Sequence, residues 1–299
     1  MATYRSPEAF NAALTHKLAQ ASHTTGRNLG QLRRELVLQR FLARLFHPAA
    51  QASANWSLKG GTGLLLRVPD SRHTRDIDLH HRGDTASAEA DIARAAALQI
   101  DPFRFRPGQP IPMTGRHAGI RITLDAYLGV KLWDRAPIDL AFGPTDPIGV
   151  IDAITPAPIV AIDDLEPSAP IRIYPLPAQI ADKLCAMYDR YSDQQSTRFH
   201  DLIDLVTVIT RFDIPAGPTA AAIAAESTHR RIDLPVRLES PGSSWPAGYR
   251  VVAKTGALST DLQSLPSALA AIGRCLHPLM LGSVPDSAIW RHQLAAWTD

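Results

Sequence analysis

The run Leu58-Lys-Gly-Gly-Thr-Gly-Leu-Leu-Leu-Arg67, followed by Thr74-Arg-Asp-Ile-Asp-Leu79, is the part of the sequence that most restricts the fold. In the first run, a short apolar strand leads through a glycine pair into a short helix that ends before Pro69. In the second run, acidic and apolar residues alternate, which is typical of a strand. Together the two runs predict a strand, a turn, a helix and a second strand.

Lys59, Gly60, Gly61 and Thr62 lie at the predicted junction of strand and helix. Two consecutive glycines let the backbone turn tightly and bring its N–H groups close to a ligand, while the helix N-terminus adds partial positive charge. Thr62 can cap the helix or donate its hydroxyl to a phosphate oxygen, and Lys59 can add a full positive charge. The pattern predicts a phosphate-binding turn. An ordinary turn with a capping threonine is the alternative.

Asp76 and Asp78 are two residues apart on the predicted strand. Their carboxylates therefore project to the same face, while Ile77 and Leu79 pack inward. Two like charges this close are typical of a divalent-cation site, and carboxylate oxygens suit Mg²⁺, which leaves its other positions to water and triphosphate oxygens. We predict that both aspartates bind Mg²⁺. The alternative is an exposed strand edge with solvated acids.

A third acid, Asp139, interrupts an apolar run in the segment 119–142, which alternates in two stretches and is predicted to form sheet. A carboxylate in apolar surroundings is unfavourable unless a metal ion or hydrogen bonds compensate it. In phosphoryl-transfer sites such a carboxylate can bind a second metal ion or act as a base for an attacking hydroxyl. Asp125 in the preceding stretch is the rival position, and the apolar neighbours of Asp139 favour the latter.

The glycine turn, the acid pair and the later aspartate resemble, in this order, the nucleotidyltransferase toxins of the AbiEii type. That family includes the MenT-type toxins of toxin–antitoxin operons and lies within the polymerase-β-like nucleotidyltransferase superfamily. The resemblance implies an α/β (α+β) chain, with a polymerase-β-like nucleotidyltransferase fold in the N-terminal lobe and a mostly helical C-terminal lobe. It implies a Mg²⁺-dependent enzyme that uses a nucleoside triphosphate. Thr74, where family members often have serine, and Arg75 join the predicted phosphate-binding residues.

The resemblance assigns two residues in the second half of the chain. The family's catalytic lysine matches Lys183 in the run Pro177–Arg190, and its later aspartate matches Asp201. Lys183 also follows helical spacing with apolar residues, which predicts an inward position where an ammonium group needs an anionic partner. Asp204 lies three residues after Asp201 on the next predicted helix. The sequence leaves open which of these two acids is functional and which is helix surface charge.

Helical spacing of apolar residues predicts helices at residues 6–20, 29–46, 177–190, 197–210 and 217–226. A proline-bearing stretch at 155–175 separates the predicted sheet from the later helices. We therefore expect a nucleotidyltransferase lobe with N-terminal helices at residues 1–165, and a helical lobe at 166–299 that contributes Lys183 and an aspartate to the active site. Residues 233–251, with three prolines, are predicted to form a long irregular connection.

Composition excludes several classes of protein. The chain has 299 residues, and its 31 Lys and Arg nearly balance 29 Asp and Glu, so no global charge indicates nucleic acid or an acidic membrane. Cys185 and Cys275 belong to no paired motif, which argues against a disulfide scaffold and a zinc site. The sequence shows no signal peptide and no apolar run of roughly 20 residues. We expect a cytoplasmic monomer that does not bind membranes.

The MenT-type resemblance implies that the acceptor is the 3′ end of tRNA, that the modification stops translation, and that a cognate antitoxin protein is a partner. An RNA acceptor needs basic side chains for its phosphates. Two clusters are candidates: Arg33, Arg34, Arg40 and Arg44, and His229, Arg230 and Arg231 with Arg237. The alternatives are transfer to a hydroxyl of a partner protein and a catalytically idle nucleotide-binding module. The intact acid pair and Lys183 argue against the idle module.

Overall fold

The computed structural model describes residues 3–74, 76–113, 119–143, 146–191, 194–254 and 258–299. The chain divides into two compact units. We call sheet unit the one formed by Met1–Arg67, His73–Asp146 and Asp152–Ile173, and helical unit the one formed by Val68–Arg72, Pro147–Ile151 and Tyr174–Asp299. Each unit thus combines segments that are separate in sequence.

A mixed β-sheet is the centre of the sheet unit. Its strands are β1 (Trp56–Leu58), β2 (Ile77–His81), β3 (Phe103–Pro107), β4 (Ile111–Pro112), β5 (Gly119–Leu128), β6 (Lys131–Phe142), β7 (Asp152–Ile154) and β8 (Ile171–Ile173). They lie in the order β3-β5-β6-β2-β1-β8-β7, and β4 pairs with β5. The β2–β6 and β1–β8 pairs are parallel, and the remaining pairs are antiparallel. The long hairpin of β5 and β6 occupies the predicted sheet segment.

Alternation along the strands determines which face of the sheet is buried. Ile120, Ile122 and Leu124 on β5 point inward, and so do Ile77 and Leu79 on β2. The residues between them point to the opposite face, which we call the outward face. Because Asp76 and Asp78 alternate with these apolar residues, the same pattern that builds the core directs both acids outward.

Helices cover the inward face. They are α1 (Pro7–Thr25), α2 (Leu29–Leu45) and α4 (Thr85–Ala97), while α3 (Gly60–Arg67) directly follows β1. The side chains of Ser6 and Asn28 accept hydrogen bonds from backbone N–H groups of α1 and α2, which fixes where these helices begin. α1, α2 and α4 contact β5, β6 and β3 respectively, and their apolar side chains join the strands in one core.

The helical unit contains α5 (Leu176–Tyr188), α6 (Phe199–Arg211), α7 (Ala216–Arg230), α8 (Trp245–Ala253) and α9 (Leu265–Met280). Its strands are the short β9 (Arg190–Tyr191), β10 (Gln194–Gln195), β11 (Ile214–Pro215), β12 (Ile289–Arg291) and β13 (Ala296–Thr298). The predicted α/β class, with a mostly helical second part, is confirmed. In the described part of the chain, none of the helices combines the length and apolar character needed to cross a membrane.

The prediction for residues 233–251 was wrong at its end, because α8 begins at Trp245. Pro246 lies in the first turn of this helix, where a backbone N–H has no intrahelical partner and proline therefore causes no loss. Trp245 is fully buried, and its indole Nε1 donates a 2.7 Å hydrogen bond to the Ser196 carbonyl. Pro246 is therefore compatible with the start of a helix and does not keep this part of the chain irregular.

Candidate functional site

Asp76, Asp78 and Asp139, which we call the acid triad, come together on the outward face of the sheet. Asp78 on β2 lies directly opposite Asp139 on the parallel strand β6, and Asp76 immediately precedes β2. One carboxylate oxygen from each residue lies within 4.8 Å of the other two, and all three side chains are partly buried. The structure therefore brings together the acids that the sequence predicted as metal ligands.

Arg121 on β5 places a guanidinium group beside the triad. Its guanidinium donates two hydrogen bonds of 2.6 Å to the Asp139 carboxylate. These bonds, together with the charges of the three aspartates, raise the pKa of Arg121 above its ordinary value. These four side chains comprise three carboxylates and one guanidinium group. The all-oxygen donor set fits a hard divalent cation such as Mg²⁺.

Asp139 and its rival Asp125 have different surroundings in the structure. Asp125 lies on β5 opposite Arg135, which donates hydrogen bonds of 2.5 and 3.0 Å to its carboxylate. The bonds from Arg135 lower the pKa of the Asp125 carboxyl. Asp125 thus has a one-to-one partner, whereas Asp139 lies in register with Asp78. This geometry agrees with the choice of Asp139 as the third acid.

The glycine turn lies directly against the acid triad. Gly60, the first residue of α3, has φ +60, and a Cβ atom at this position would overlap the carboxylate of Asp78. The Lys59 backbone N–H donates a 2.8 Å hydrogen bond to the Asp78 carbonyl, which joins the turn to β2. Gly61 is buried within the first turn of the helix. Only a glycine at position 60 allows both this turn and the present position of Asp78.

Two threonines hold Asp76 in place. The Thr74 hydroxyl donates a 2.9 Å hydrogen bond to the Asp76 carboxylate, and the Thr62 hydroxyl donates a 2.6 Å bond to the Asp76 carbonyl. Both threonines are buried. Thr62 lies inside α3, so the predicted hydrogen bond from its hydroxyl to a phosphate would have to replace the present one. Arg75, also predicted to bind phosphate, lies outside the described residues.

His80 is a neighbour of the triad that the sequence analysis did not single out. It lies two residues after Asp78 on the same strand, hence on the same face. Burial lowers the pKa of His80 to about 4, and the charge of Lys59 acts in the same direction. The imidazole is therefore neutral near pH 7. One sequence signal could have pointed to His80: polar residues occupy every second position from Asp76 through Asp78 to His80.

A second charged group lies within the helical unit. We call it the lysine cluster, and it consists of Lys183, Asp201, Asp204, Arg72 and Arg198. The Lys183 ammonium donates hydrogen bonds to Asp204 (2.5 Å) and Asp201 (3.2 Å). Lys183 is buried, as its helical spacing predicted. The alternative that Asp204 is surface charge was wrong, because its side chain is 0% exposed. Asp201 and Asp204 both contact the lysine.

Arg72 and Arg198 complete the lysine cluster, and the sequence analysis assigned a role to neither. Arg72 donates two hydrogen bonds of 2.8 Å to the Asp204 carboxylate, and Arg198 donates one of 2.6 Å to Asp201. Burial alone would raise the pKa of the Asp204 carboxyl, but Lys183 and Arg72 lower it below its ordinary value. Arg72 is more than 100 residues before Asp204, so sequence spacing gives no signal for this pair.

The predicted basic cluster on α2 was wrong as an RNA-binding track. The Arg44 side chain is 0% exposed and donates two hydrogen bonds to Asp101, which also accepts one from Arg40. The other two arginines of the cluster are occupied as well: Arg34 pairs with Asp134, and the Arg33 guanidinium lies 4.3 Å from the centroid of Trp133. α2 is packed on several sides, so its arginines contact acidic and aromatic side chains of the same chain.

In the second basic cluster, Arg230 is buried and forms ion pairs with Asp182, Asp189 and Glu226. It is therefore not available to a phosphate. Of the arginines in the two clusters proposed from the sequence, Arg231 and Arg237 are exposed.

Comparison with known proteins identifies the family. A family model described as the nucleotidyl transferase AbiEii toxin of a type IV toxin–antitoxin system matches residues 40–269. The chain belongs to this AbiEii family. It is thus a nucleotidyltransferase and the toxin component of a type IV toxin–antitoxin system, and the family implies a nucleoside triphosphate substrate and an antitoxin partner. The comparison with curated proteins gave no match.

Solved structures of other proteins include one match with a TM-score above 0.5 and two below it. MenT4, a nucleotidyltransferase toxin from Mycobacterium tuberculosis, is similar with a TM-score of 0.55 and 16% identity, and the match covers 93% of each chain. JHP933 from Helicobacter pylori has a TM-score of 0.48 and 15% identity, over 85% of this chain and 94% of that one. A putative nucleotidyltransferase from H. pylori has a TM-score of 0.46 and 16% identity, over 84% and 96%. The MenT4 likeness supports the nucleotidyltransferase fold.

Proposed function

We propose that this toxin transfers a nucleoside monophosphate from a nucleoside triphosphate to the 3′ hydroxyl of tRNA, and that the acid triad binds Mg²⁺ for this step. The observation that supports the metal site is the convergence of three carboxylate oxygens within 4.8 Å. The choice of tRNA as acceptor rests on the resemblance to MenT-type toxins. Such a product would block the end of the tRNA that accepts an amino acid.

In the proposed step, an oxygen of the acceptor hydroxyl attacks the α-phosphorus, the bond to the β-phosphate oxygen breaks, and pyrophosphate leaves. A divalent cation held by Asp76, Asp78 and Asp139 would neutralise charge on the attacking and leaving oxygens. The carboxylate of Asp139 would accept the proton that the attacking hydroxyl loses. The N–H groups at the start of α3 and the Lys59 side chain would bind triphosphate oxygens.

Lys183 and Asp201 are assigned to transfer by the family resemblance, and this assignment stays a prediction. Both residues are buried, and their contacts within the lysine cluster compensate their charges. If the two residues have only a structural role, their variants should lose activity because they unfold. If the residues act in transfer, the variants should stay folded and still lose activity. Measuring stability and activity on the same variants separates the two roles.

The proposal is tested by incubating the purified protein with Mg²⁺, each labelled nucleoside triphosphate, and either total tRNA or total protein. We expect label on tRNA with the wild type and with Asp213→Asn, which changes an exposed acid paired with Arg291, and none with Asp78→Asn. Removal of divalent metal by a chelator should abolish labelling, and added Mg²⁺ should restore it. Restoration only by another divalent metal would refute the metal assignment.

The acceptor group is tested with tRNA whose terminal 2′,3′-diol has been oxidised by periodate. If the 3′ hydroxyl is the nucleophile, oxidised tRNA should accept no label, while untreated tRNA should accept it. Unchanged labelling would place the modification elsewhere on the RNA. Label on the protein pool alone would show that the acceptor is a protein hydroxyl, and the tRNA proposal would be wrong.

A further inference from the structure

Four exposed arginines lie on the outward face of the sheet. We call them the arginine face, and they are Arg104, Arg106, Arg121 and Arg135. The side chains of Arg121 and Arg135 are 49% and 60% exposed. Apolar residues next to them on the same strands, such as Phe105, Ile122 and Ala136, belong to the core. The arginines therefore share the sheet surface that bears the acid triad.

Strand register fixes the direction in which the arginine face extends. Arg121 lies opposite Asp139 of the triad, while Asp125, four residues further along β5, lies between Arg106 on β3 and Arg135 on β6. Residues of a strand are about 3.4 Å apart, so this second position is roughly 14 Å from Arg121. The face thus begins at the triad and extends toward β3, at the edge of the sheet.

Because Arg121 is paired with Asp139 of the triad, the positive charge of the arginine face comes from Arg104, Arg106 and Arg135, which share the surface with the carboxylate of Asp125. Asp125 is paired with Arg135, while the Arg106 guanidinium lies 5.4 Å from the ring centroid of Tyr127 and Arg104 donates to the Gly129 carbonyl. Exposed ion pairs contribute little to stability, because water and salt screen them. Protein stability therefore gives little reason for several arginines here.

We propose that the arginine face binds the phosphates of the RNA acceptor, as a single-stranded 3′ segment whose terminal hydroxyl reaches the acid triad. This inference rests on the proposed function. Proteins hold single strands in positively charged grooves lined with aromatic rings, and Tyr127 supplies a ring among these arginines. A strand that ends at the triad would deliver its hydroxyl where the metal ligands converge. The face fits phosphate contact rather than base recognition.

The test uses the double variant Arg104→Gln/Arg106→Gln, which keeps Arg121 and hence the triad's own partner. The control Arg250→Gln/Arg274→Gln removes two exposed arginines from α8 and α9. Both variants lose the same charge, so a general effect of net charge would appear in both. Fluorescence anisotropy gives the Kd for tRNA at several salt concentrations, calorimetry gives the affinity for nucleoside triphosphate with Mg²⁺, and circular dichroism checks folding.

We expect the Arg104→Gln/Arg106→Gln variant to bind tRNA about tenfold more weakly, with a salt dependence smaller by roughly one to two in slope, and to bind triphosphate as the wild type does. The control should bind both as the wild type does. If the wild type labels tRNA but the variant binds and labels it equally well, or if the control weakens as much, the arginine face is wrong and the proposed function stands. If the wild type binds and labels no RNA, both proposals are wrong.

Discussion

Two groups of charged side chains, the acid triad of the sheet unit and the lysine cluster of the helical unit, differ in how their charges are balanced. The triad has three partly buried carboxylates and Arg121. The lysine cluster has two carboxylates and three cations, and its Asp204 side chain is 0% exposed. In the first group the carboxylates outnumber the guanidinium group, whereas in the second the cations outnumber the carboxylates.

This difference has a consequence for stability. Carboxylates that repel one another destabilise the folded chain, so removing one should not weaken it. Buried ions that compensate one another behave in the opposite way, because removing one partner leaves an uncompensated charge. Variants of the triad should therefore lose activity while folded, and variants of the lysine cluster should lose stability.

Asp78→Asn should give the largest effect on activity. We expect the transfer rate to fall about 10³- to 10⁴-fold, which corresponds to roughly 4–5 kcal/mol of transition-state stabilisation. The free energy of unfolding should stay equal or rise, since one of three neighbouring charges is lost. Single-turnover transfer and urea denaturation measure the two quantities. Asp213→Asn, an exposed acid that pairs with Arg291, is the control and should keep full activity. A large loss of stability in Asp78→Asn would contradict the comparison.

Lys183→Met should give the largest effect on stability. It removes the ammonium group that both Asp201 and Asp204 contact, and we expect the free energy of unfolding to fall by about 3–5 kcal/mol. Expression without antitoxin should arrest growth with the wild type and not with this variant. Denaturation of the purified variant shows whether the relief comes from unfolding. A variant as stable as the wild type but inactive would show that Lys183 acts in the chemistry.

The pH dependence of stability should reflect the same cluster. Burial alone would lower the pKa of Lys183, but Asp204 and Asp201 raise it above its ordinary value of 10.5, and the pKa of Asp204 is held below 3.8. A lowered carboxyl pKa contributes stability above about pH 4 that is lost as the pH falls through the folded-state pKa. A raised lysine pKa contributes stability below about pH 10 that is lost as the pH rises. Burial lowers the pKa of the neighbouring His200 below its ordinary value, and Lys183 acts in the same direction, so this imidazole also titrates differently in the variant. The difference in unfolding free energy between wild type and Lys183→Met should therefore be constant from about pH 7 to 9, above this titration, and shrink at the acid and alkaline extremes. A difference that varies within that range would contradict the ion-pair account.

The sequence predicted the parts of the site that depend on local spacing. Gly60 and Asp78 follow from a turn and from strand alternation, and Asp139 was preferred over Asp125 through its apolar neighbours. Residues whose partners are distant were not accessible in this way. Arg40 and Arg44 appear as basic helix positions until Asp101 is placed against them, and Arg72 pairs with Asp204 across 132 positions. Such pairs depend on tertiary packing, which spacing does not encode.

Gly60→Ala should give an intermediate effect and tests whether the turn and the triad act as one structure. The added methyl group would overlap the Asp78 carboxylate, so the carboxylate must move. A displacement of about 1 Å can lower a rate about 100-fold. Gly26→Ala is the matched control, because Gly26 also has a positive φ, +69, but nothing lies within 4 Å of the added carbon. Gly26→Ala should lose about 1–2 kcal/mol of stability through its backbone conformation alone. Gly60→Ala should lose more, because the added carbon also overlaps the Cβ atom of Asp78, and only this variant should lose transfer activity. Equal activity in the two variants would separate the turn from the triad.

Thr74→Val should give the smallest effect, and it tests whether the triad is positioned from within the sheet unit. The variant loses the 2.9 Å hydrogen bond from the Thr74 hydroxyl to the Asp76 carboxylate but keeps the side-chain volume. Since one hydrogen bond contributes about 1 kcal/mol, we expect a five- to tenfold lower transfer rate. Thr74→Ser keeps the hydroxyl and should retain nearly full activity. If the metal ion alone orients Asp76, raising the Mg²⁺ concentration should restore the valine variant fully. If the threonine orients it, the defect should persist at saturating Mg²⁺, as we expect.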